Sequence, residues 1–169
     1  KILPKMLSII GSFKEYKFVI CGAPSFKKKY YENFIQRKFK NKVSIVENKT
    51  YEILRESKAA LVASGTATLE AAILNVPQVV CYESSWISYL IGKTLIKNLK
   101  FISLVNLILN KHVVKELIQS ELTKKNITNE LSYILSKEGD KQIKSYYMKM
   151  RNILGKKGAS NRAAKLIYN

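Results

Sequence analysis

The chain has 169 residues, 47% of them apolar, with only 7 Gly and 3 Pro, which suffices for one domain with its own core and excludes a disordered or low-complexity segment. No apolar run approaches the roughly 18–20 residues of a membrane-spanning helix; the longest, 99–109, is interrupted by Lys100, Ser103 and Asn106. The net charge is +18, yet 26 of the 30 basic residues are Lys, scattered along the chain, and only Arg37, Arg55, Arg151 and Arg162 are Arg; this reads as a solvated Lys-rich surface, with attraction to an anionic membrane face or lipid as the alternative, and disfavours a nucleic-acid reader built on bidentate Arg contacts.

Residues 1–13 pattern as a helix whose apolar face is Ile2, Leu3, Met6, Leu7, Ile9 and Ile10, ending near Gly11. Lys17–Cys21 reads as a buried strand, and Gly22-Ala23-Pro24-Ser25 as the turn into a basic helix over 25–38 with Ser25 as its N-cap. Lys27, Lys28 and Lys29 fall at the unfavourable positive end of that helix and are expected to point outward. Val43–Val46 is the next strand, and Thr50 is placed to cap a helix over 51–57.

The stretch Leu61–Tyr82 organises the rest. It reads as a strand (Leu61–Ala63), a Ser64-Gly65-Thr66 turn, a helix (Ala67–Leu74) and a strand started after Pro77 (Gln78–Cys81). Alternating strands and helices predict an α/β fold: a Rossmann-like parallel sheet with helices on both faces and right-handed crossovers. Ligands in such sheets bind at the carboxyl ends of the strands. Ser64, Gly65, Thr66 and Thr68 bring N–H groups and hydroxyls to a helix start, which carries about half a positive charge. Gly65 offers positive φ and no Cβ against an approaching anion. Glu70, a turn and a half into the helix, is within reach of a neighbouring sugar hydroxyl.

After Tyr82 a helix is expected to about Lys97, with Trp86, Tyr89 and Leu90 on its apolar face. Phe101–Leu104 is read as a further strand, with Asn106 on the turn that follows. Val113–Gln119 and Ile127–Ser136 are read as short helices, 141–154 as a longer one, 155–160 as a basic loop and Asn161–Tyr168 as a closing helix. Tyr30-Tyr31 and Tyr146-Tyr147 lie among lysines but at helical spacing, so they are read as covering the core. His112 is the only histidine, which leaves no His-based metal site or His-led triad. Cys21 and Cys81 stand 60 positions apart at the ends of apolar strands and read as core residues in a reducing compartment, not as a disulfide. GxGxxG and GxxxxGK[ST] are both absent. The first residue is Lys, so a longer parent chain is expected, and no secretory leader is read.

Several segments together resemble a known family. Ala63-Ser64-Gly65-Thr66-Ala67-Thr68-Leu69-Glu70-Ala71, Pro77-Gln78-Val79-Val80, Ser103-Leu104-Val105-Asn106-Leu107-Ile108, Val114-Lys115-Glu116-Leu117-Ile118-Gln119 and Gly158-Ala159-Ser160-x-Arg162-Ala163-Ala164 follow the order of motifs in the C-terminal half of lipid-A-disaccharide synthases. Gly22-Ala23-Pro24-Ser25 and Thr50-Tyr51-Glu52 also fit. The resemblance covers nearly the whole chain. It implies the C-terminal nucleotide-sugar-binding domain of a glycosyltransferase B fold, spanning 1–169 as one unit. The enzyme would join UDP-2,3-diacylglucosamine to 2,3-diacylglucosamine 1-phosphate with inversion, releasing UDP on the cytoplasmic side of the inner membrane. UDP-sugar would be a substrate, with no cofactor and no metal.

The resemblance further implies that Ser64, Gly65, Thr66 and Thr68 hold the diphosphate, that Glu70 binds the ribose, and that Gly22 and Asn106 line the donor cleft. Val105 replaces the family's Pro, and the family's Gly-Ser-Arg loop and acceptor-side domain, with its general base, are missing; this chain alone is therefore expected to bind UDP weakly without turnover. Two rivals stay open at this point: another UDP-sugar enzyme of the same fold, such as a 2-epimerase or another hexosaminyltransferase, and a basic module for RNA or anionic lipid.

Overall fold

Short parallel strands alternate with helices in the computed structural model, which describes residues 1–23, 25–63, 65–84, 100–155 and 158–168. In chain order they are α1 (Ile2–Leu7), β1 (Phe18–Gly22), α2 (Lys28–Glu32), β2 (Val43–Glu47), α3 (Thr50–Glu56), β3 (Ala60–Val62), α4 (Gly65–Ile73) and β4 (Gln78–Tyr82). Then come α5 (Leu104–Leu109), β5 (Glu116–Ile118), α6 (Lys124–Leu135), α7 (Lys137–Leu154) and α8 (Ala159–Tyr168). The expected helix carrying Trp86, Tyr89 and Leu90 lies outside the described residues, as do Pro24 and Ser64.

The α/β class and the parallel pairing hold. β1 pairs with β2 in register Phe18↔Val43 to Gly22↔Glu47. β3 pairs with β4 from Ala60↔Gln78 to Val62↔Val80, and β4 with β5 from Val80↔Glu116 to Tyr82↔Ile118. Among the described residues these form two sheets, β1-β2 and β3-β4-β5. Between them runs a cleft of about 1170 Å³, lined by β1 and α1 on one side and by β3 and the start of α4 on the other.

The core follows the burial of β4, whose Val79, Val80 and Cys81 are enclosed by Val105, Leu117, Ile127, Leu131, Ile134, Ile143, Tyr147 and Met150. Near-continuous apolar runs of this kind mark strands covered on both faces. A second cluster joins Ile20 and Val43 to Ile10 and Tyr31, and a third joins Leu54, Val62, Ala71 and Val76. Tyr31 and Tyr147 are thus core residues, as their spacing suggested, while Tyr30 stays exposed. Helix α4 stops at Asn75, whose φ of 64° is left-handed, and Val76 N–H turns back to the Ala71 carbonyl.

Several expectations are overturned, among them the single helix over 1–13, which is split into α1 and a 3-10 turn at Ile10–Ser12. Residues 101–104 form no strand: Ser103 caps α5 by accepting the Asn106 N–H, and Val105 packs in the core. Residues 113–119 form no helix but contain β5; Val-Val-Lys-Glu-Leu-Ile fits either period, and pairing with β4 decides it. The basic helix over 25–38 shrinks to α2 and a 3-10 turn at Arg37–Phe39, with Lys27 at the N-cap position in place of Ser25. Thr50 lies inside α3, and its hydroxyl meets the Cys21 thiol instead of capping the helix.

Candidate functional site

The carboxyl ends of β1, β3 and β4 converge on the cleft. Gly22 ends β1 and Ala23 follows it, Ala63 follows β3, and Glu83 and Ser84 follow β4; all five line it, together with Thr66 and Glu70 from the first two turns of α4. A strand that runs straight into a helix leaves that helix's first N–H groups without intrahelical acceptors and aimed past the strand end. Gly65 and Thr66 are exposed there. A Cβ built on Gly65 meets nothing within 4 Å among the described residues, which leave the approach to these amides open. Positive φ plays no part at Gly65; among the described residues the glycines in that region are Gly155 and Gly158.

Glu70 is half-buried on the cleft wall and has no side-chain hydrogen bond or ion pair among the described residues. Glu83 also faces the cleft, but Lys5 Nζ holds it at 2.9 Å. Cys21 lies on the same wall, with burial pushing its thiol pKa up and the Thr50 hydroxyl opposing that in part.

Thr68 and Asn106 take a different position from Thr66 and Glu70. Both are 0% exposed. Thr68 Oγ1 donates to the Gly65 carbonyl at 2.5 Å and accepts the Leu104 N–H at 3.2 Å. The Asn106 amide is used up internally: Oδ1 accepts Val113 and Val114 N–H at 2.8 and 2.9 Å, and Nδ2 donates to the Val114 carbonyl and to Glu116 Oε1 at 2.8 and 2.9 Å. Neither side chain reaches the cleft surface; both brace the backbone behind it.

Gly22 serves packing. A Cβ there would stand 2.8 Å from the Tyr31 ring, whose hydroxyl accepts the Ala23 N–H at 2.8 Å. The structure therefore brings Gly22, Thr66 and Glu70 to one cleft, opens Gly65 toward solvent beside it, and sets Thr68 and Asn106 behind. Glu116, which the sequence reading left out of the site, is the centre of the bracing network. Its sequence signal was its place in the Val114–Gln119 segment that carries the family resemblance.

A family profile described as lipid-A-disaccharide synthetase matches residues 1–168. The lipid-A-disaccharide synthase of Anaeromyxobacter sp. (strain K) is 30% identical over 169 residues, 97% of this chain and 44% of the relative. That of Syntrophus aciditrophicus (strain SB) is 41% identical over 123 residues, 72% of this chain and 32% of the relative. That of Sulfurihydrogenibium sp. (strain YO3AOP1) is 39% identical over 122 residues, 72% and 31%. The chain thus spans less than half the length of these relatives.

Proposed function

The chain belongs to the lipid-A-disaccharide synthetase family, and from that premise we propose that it is the UDP-sugar-binding part of an inverting glycosyltransferase of lipid A biosynthesis. The donor is UDP-2,3-diacylglucosamine and the acceptor 2,3-diacylglucosamine 1-phosphate. The observation that carries this reading is the start of α4 at the strand ends, open among the described residues, with the Glu70 carboxylate, unpaired among those residues, one turn further along the same wall.

In this reading the amides of Gly65 and Thr66 receive the diphosphate, and Ser64 joins them by its place in the family motif. Glu70 accepts hydroxyls of the ribose. When the glycosidic bond to UDP breaks, negative charge grows on the departing phosphate. Fixed N–H dipoles at a helix start stabilise that charge without reorganising. Thr68 and Asn106 contribute by holding these amides in place. We assign the acceptor domain and the general base to the part of the relatives' length that this chain does not span, more than half of it; the chain alone binds UDP and does not turn over. Among the described residues no helix is long and apolar enough to cross a membrane. The acyl chains of the substrates and the net charge of +18 favour docking on the anionic inner-membrane surface.

Calorimetric titration of UDP into wild type and Glu70→Ala tests the site. Hydrogen bonds to a charged group contribute about 1.5–3 kcal/mol, so the variant is expected to bind at least about tenfold more weakly. Equal affinity removes Glu70 from the ribose, and absence of UDP binding to wild type overturns the whole assignment. Turnover assays of the full-length protein with several UDP-sugars separate a disaccharide synthase from an epimerase or another hexosaminyltransferase of the same fold.

A further inference from the structure

Glu116 opens β5 with its side chain turned into the protein, 8% exposed. A carboxylate in that position is costly unless it is fully hydrogen-bonded. Among the described residues its donors all come from one short segment: Ile102 N–H at 2.9 Å on Oε2, and Ser103 N–H at 2.8 Å with Asn106 Nδ2 at 2.9 Å on Oε1. The next amide of that segment, Leu104 N–H, donates to Thr68 Oγ1, and the same hydroxyl donates its proton to the carbonyl of Gly65. The chain of bonds therefore starts at a buried carboxylate on β5 and ends on the first residue of α4, at the open edge of the cleft.

We infer that Glu116 is a positioning residue for the nucleotide site, fixing the first turn of α4 through segment 102–106 and the Thr68 hydroxyl. The inference rests on the reading of that turn as the diphosphate site. Each link has one direction only. The carboxylate accepts and cannot donate, so it orders the amides of 102 and 103. That order presents Leu104 N–H to Thr68, which leaves the Thr68 proton for the Gly65 carbonyl. Peptide planes are rigid, so holding the Gly65 carbonyl holds the Thr66 N–H on the other side of the same plane.

Glu116→Gln keeps the shape but points an NH₂ at one of the N–H groups it now accepts, donor against donor. The first turn of α4 is then free to rotate, and a misplacement of about 1 Å at such a site costs up to about 10²-fold.

The test uses the full-length protein and UDP as probe, measuring Kd for wild type, Glu116→Gln, Thr68→Val, Thr68→Ser and the double variant Glu116→Gln/Thr68→Val. Each of the first two substitutions is expected to weaken UDP at least about tenfold. The double variant should be no weaker than the worse single one, because both cut one chain of bonds, and Thr68→Ser, which keeps the hydroxyl, should bind as wild type does. Losses that multiply in the double variant, or an unchanged Kd in Glu116→Gln, overturn the inference while leaving the UDP site standing. A wild type that does not bind UDP takes down the site itself. Should Glu116→Gln not fold, amide hydrogen exchange of wild type decides: saturating UDP is expected to slow exchange at Ile102, Ser103 and Leu104, and unchanged exchange there overturns the proposal.

Discussion

Gly22→Ala separates two reasons for a glycine at the mouth of the cleft, a ligand that needs space and a neighbour that already fills it. The added methyl would stand 2.8 Å from Tyr31 Cε2 and 3.4 Å from Cζ. Carbons meet comfortably at about 3.5 Å or more, so the ring has to retreat by roughly 0.7 Å. That ring is a buried member of the cluster with Ile10, Ile20 and Val43, and its hydroxyl holds the Ala23 N–H. Overpacking costs about 1–3 kcal/mol and the strained hydrogen bond about 1 kcal/mol. Alanine in a strand recovers about 0.5–1 kcal/mol relative to glycine. The net loss is about 1–3 kcal/mol, read from urea unfolding of wild type, Gly22→Ala, Tyr31→Leu and the pair. In the Tyr31→Leu background the methyl has room, and Gly22→Ala should then be neutral or slightly stabilising. Equal losses in both backgrounds, or a stabilising Gly22→Ala in wild type, would refute the packing account.

Gly139→Ala is expected to open the α6–α7 corner, because its Cβ would lie 2.1 Å from the Tyr133 carbonyl oxygen, which is backbone and cannot swing aside. A cost above about 3 kcal/mol should lower Tm by at least about 6 °C; a shift under about 2 °C contradicts the placement of that corner. Cys81 is buried in the main core, and burial pushes its thiol pKa from 9.0 up to about 12. The folded pKa lies above the unfolded one, so the stability it carries is complete below pH 9 and is lost as the pH climbs toward 12. Unfolding free energy should fall across that window, less steeply in Cys81→Ala, and a thiol reagent should modify Cys81 only on unfolding. Rapid labelling of Cys81 in the native protein would contradict its burial. Tyr147, raised by burial in the same core, acts in the same direction.

The strand–turn–helix–strand unit over Leu61–Tyr82 was legible because every local signal agreed. Apolar β-branched runs, a Gly-Thr turn and a post-Pro strand start all name one βαβ unit, and β3, α4 and β4 fall within a residue or two of their expected bounds. Segment 101–118 was not legible. Leu104–Leu109 and Val113–Ile118 are apolar at spacings that suit helix and strand alike, and what assigns them is partner geometry. The carboxylate of Glu116 draws the amides of 102 and 103 into a helix start, and β4 offers β5 a free edge. The basic helix over 25–38 is cut short after Glu32, and the lysines at its start are not the cause, since Lys28 and Lys29 lie inside α2.

The sequence by itself determined the α/β class, the family, and the strand end at which a helix start meets the cleft, because these depend on local periodicity and on motifs contiguous in the chain. Only the tertiary structure decided which motif residues face the cleft. Thr66 and Thr68 are two positions apart on one helix, about 200° around its axis, so one looks outward while the other is sealed beneath by Leu104. The role of Asn106 was likewise fixed by the loop that folds over it. Which side of a helix meets solvent is set by what packs on the opposite side, and those partners lie outside the helix's own sequence window, 36 residues away for Thr68 and 7 to 10 for Asn106.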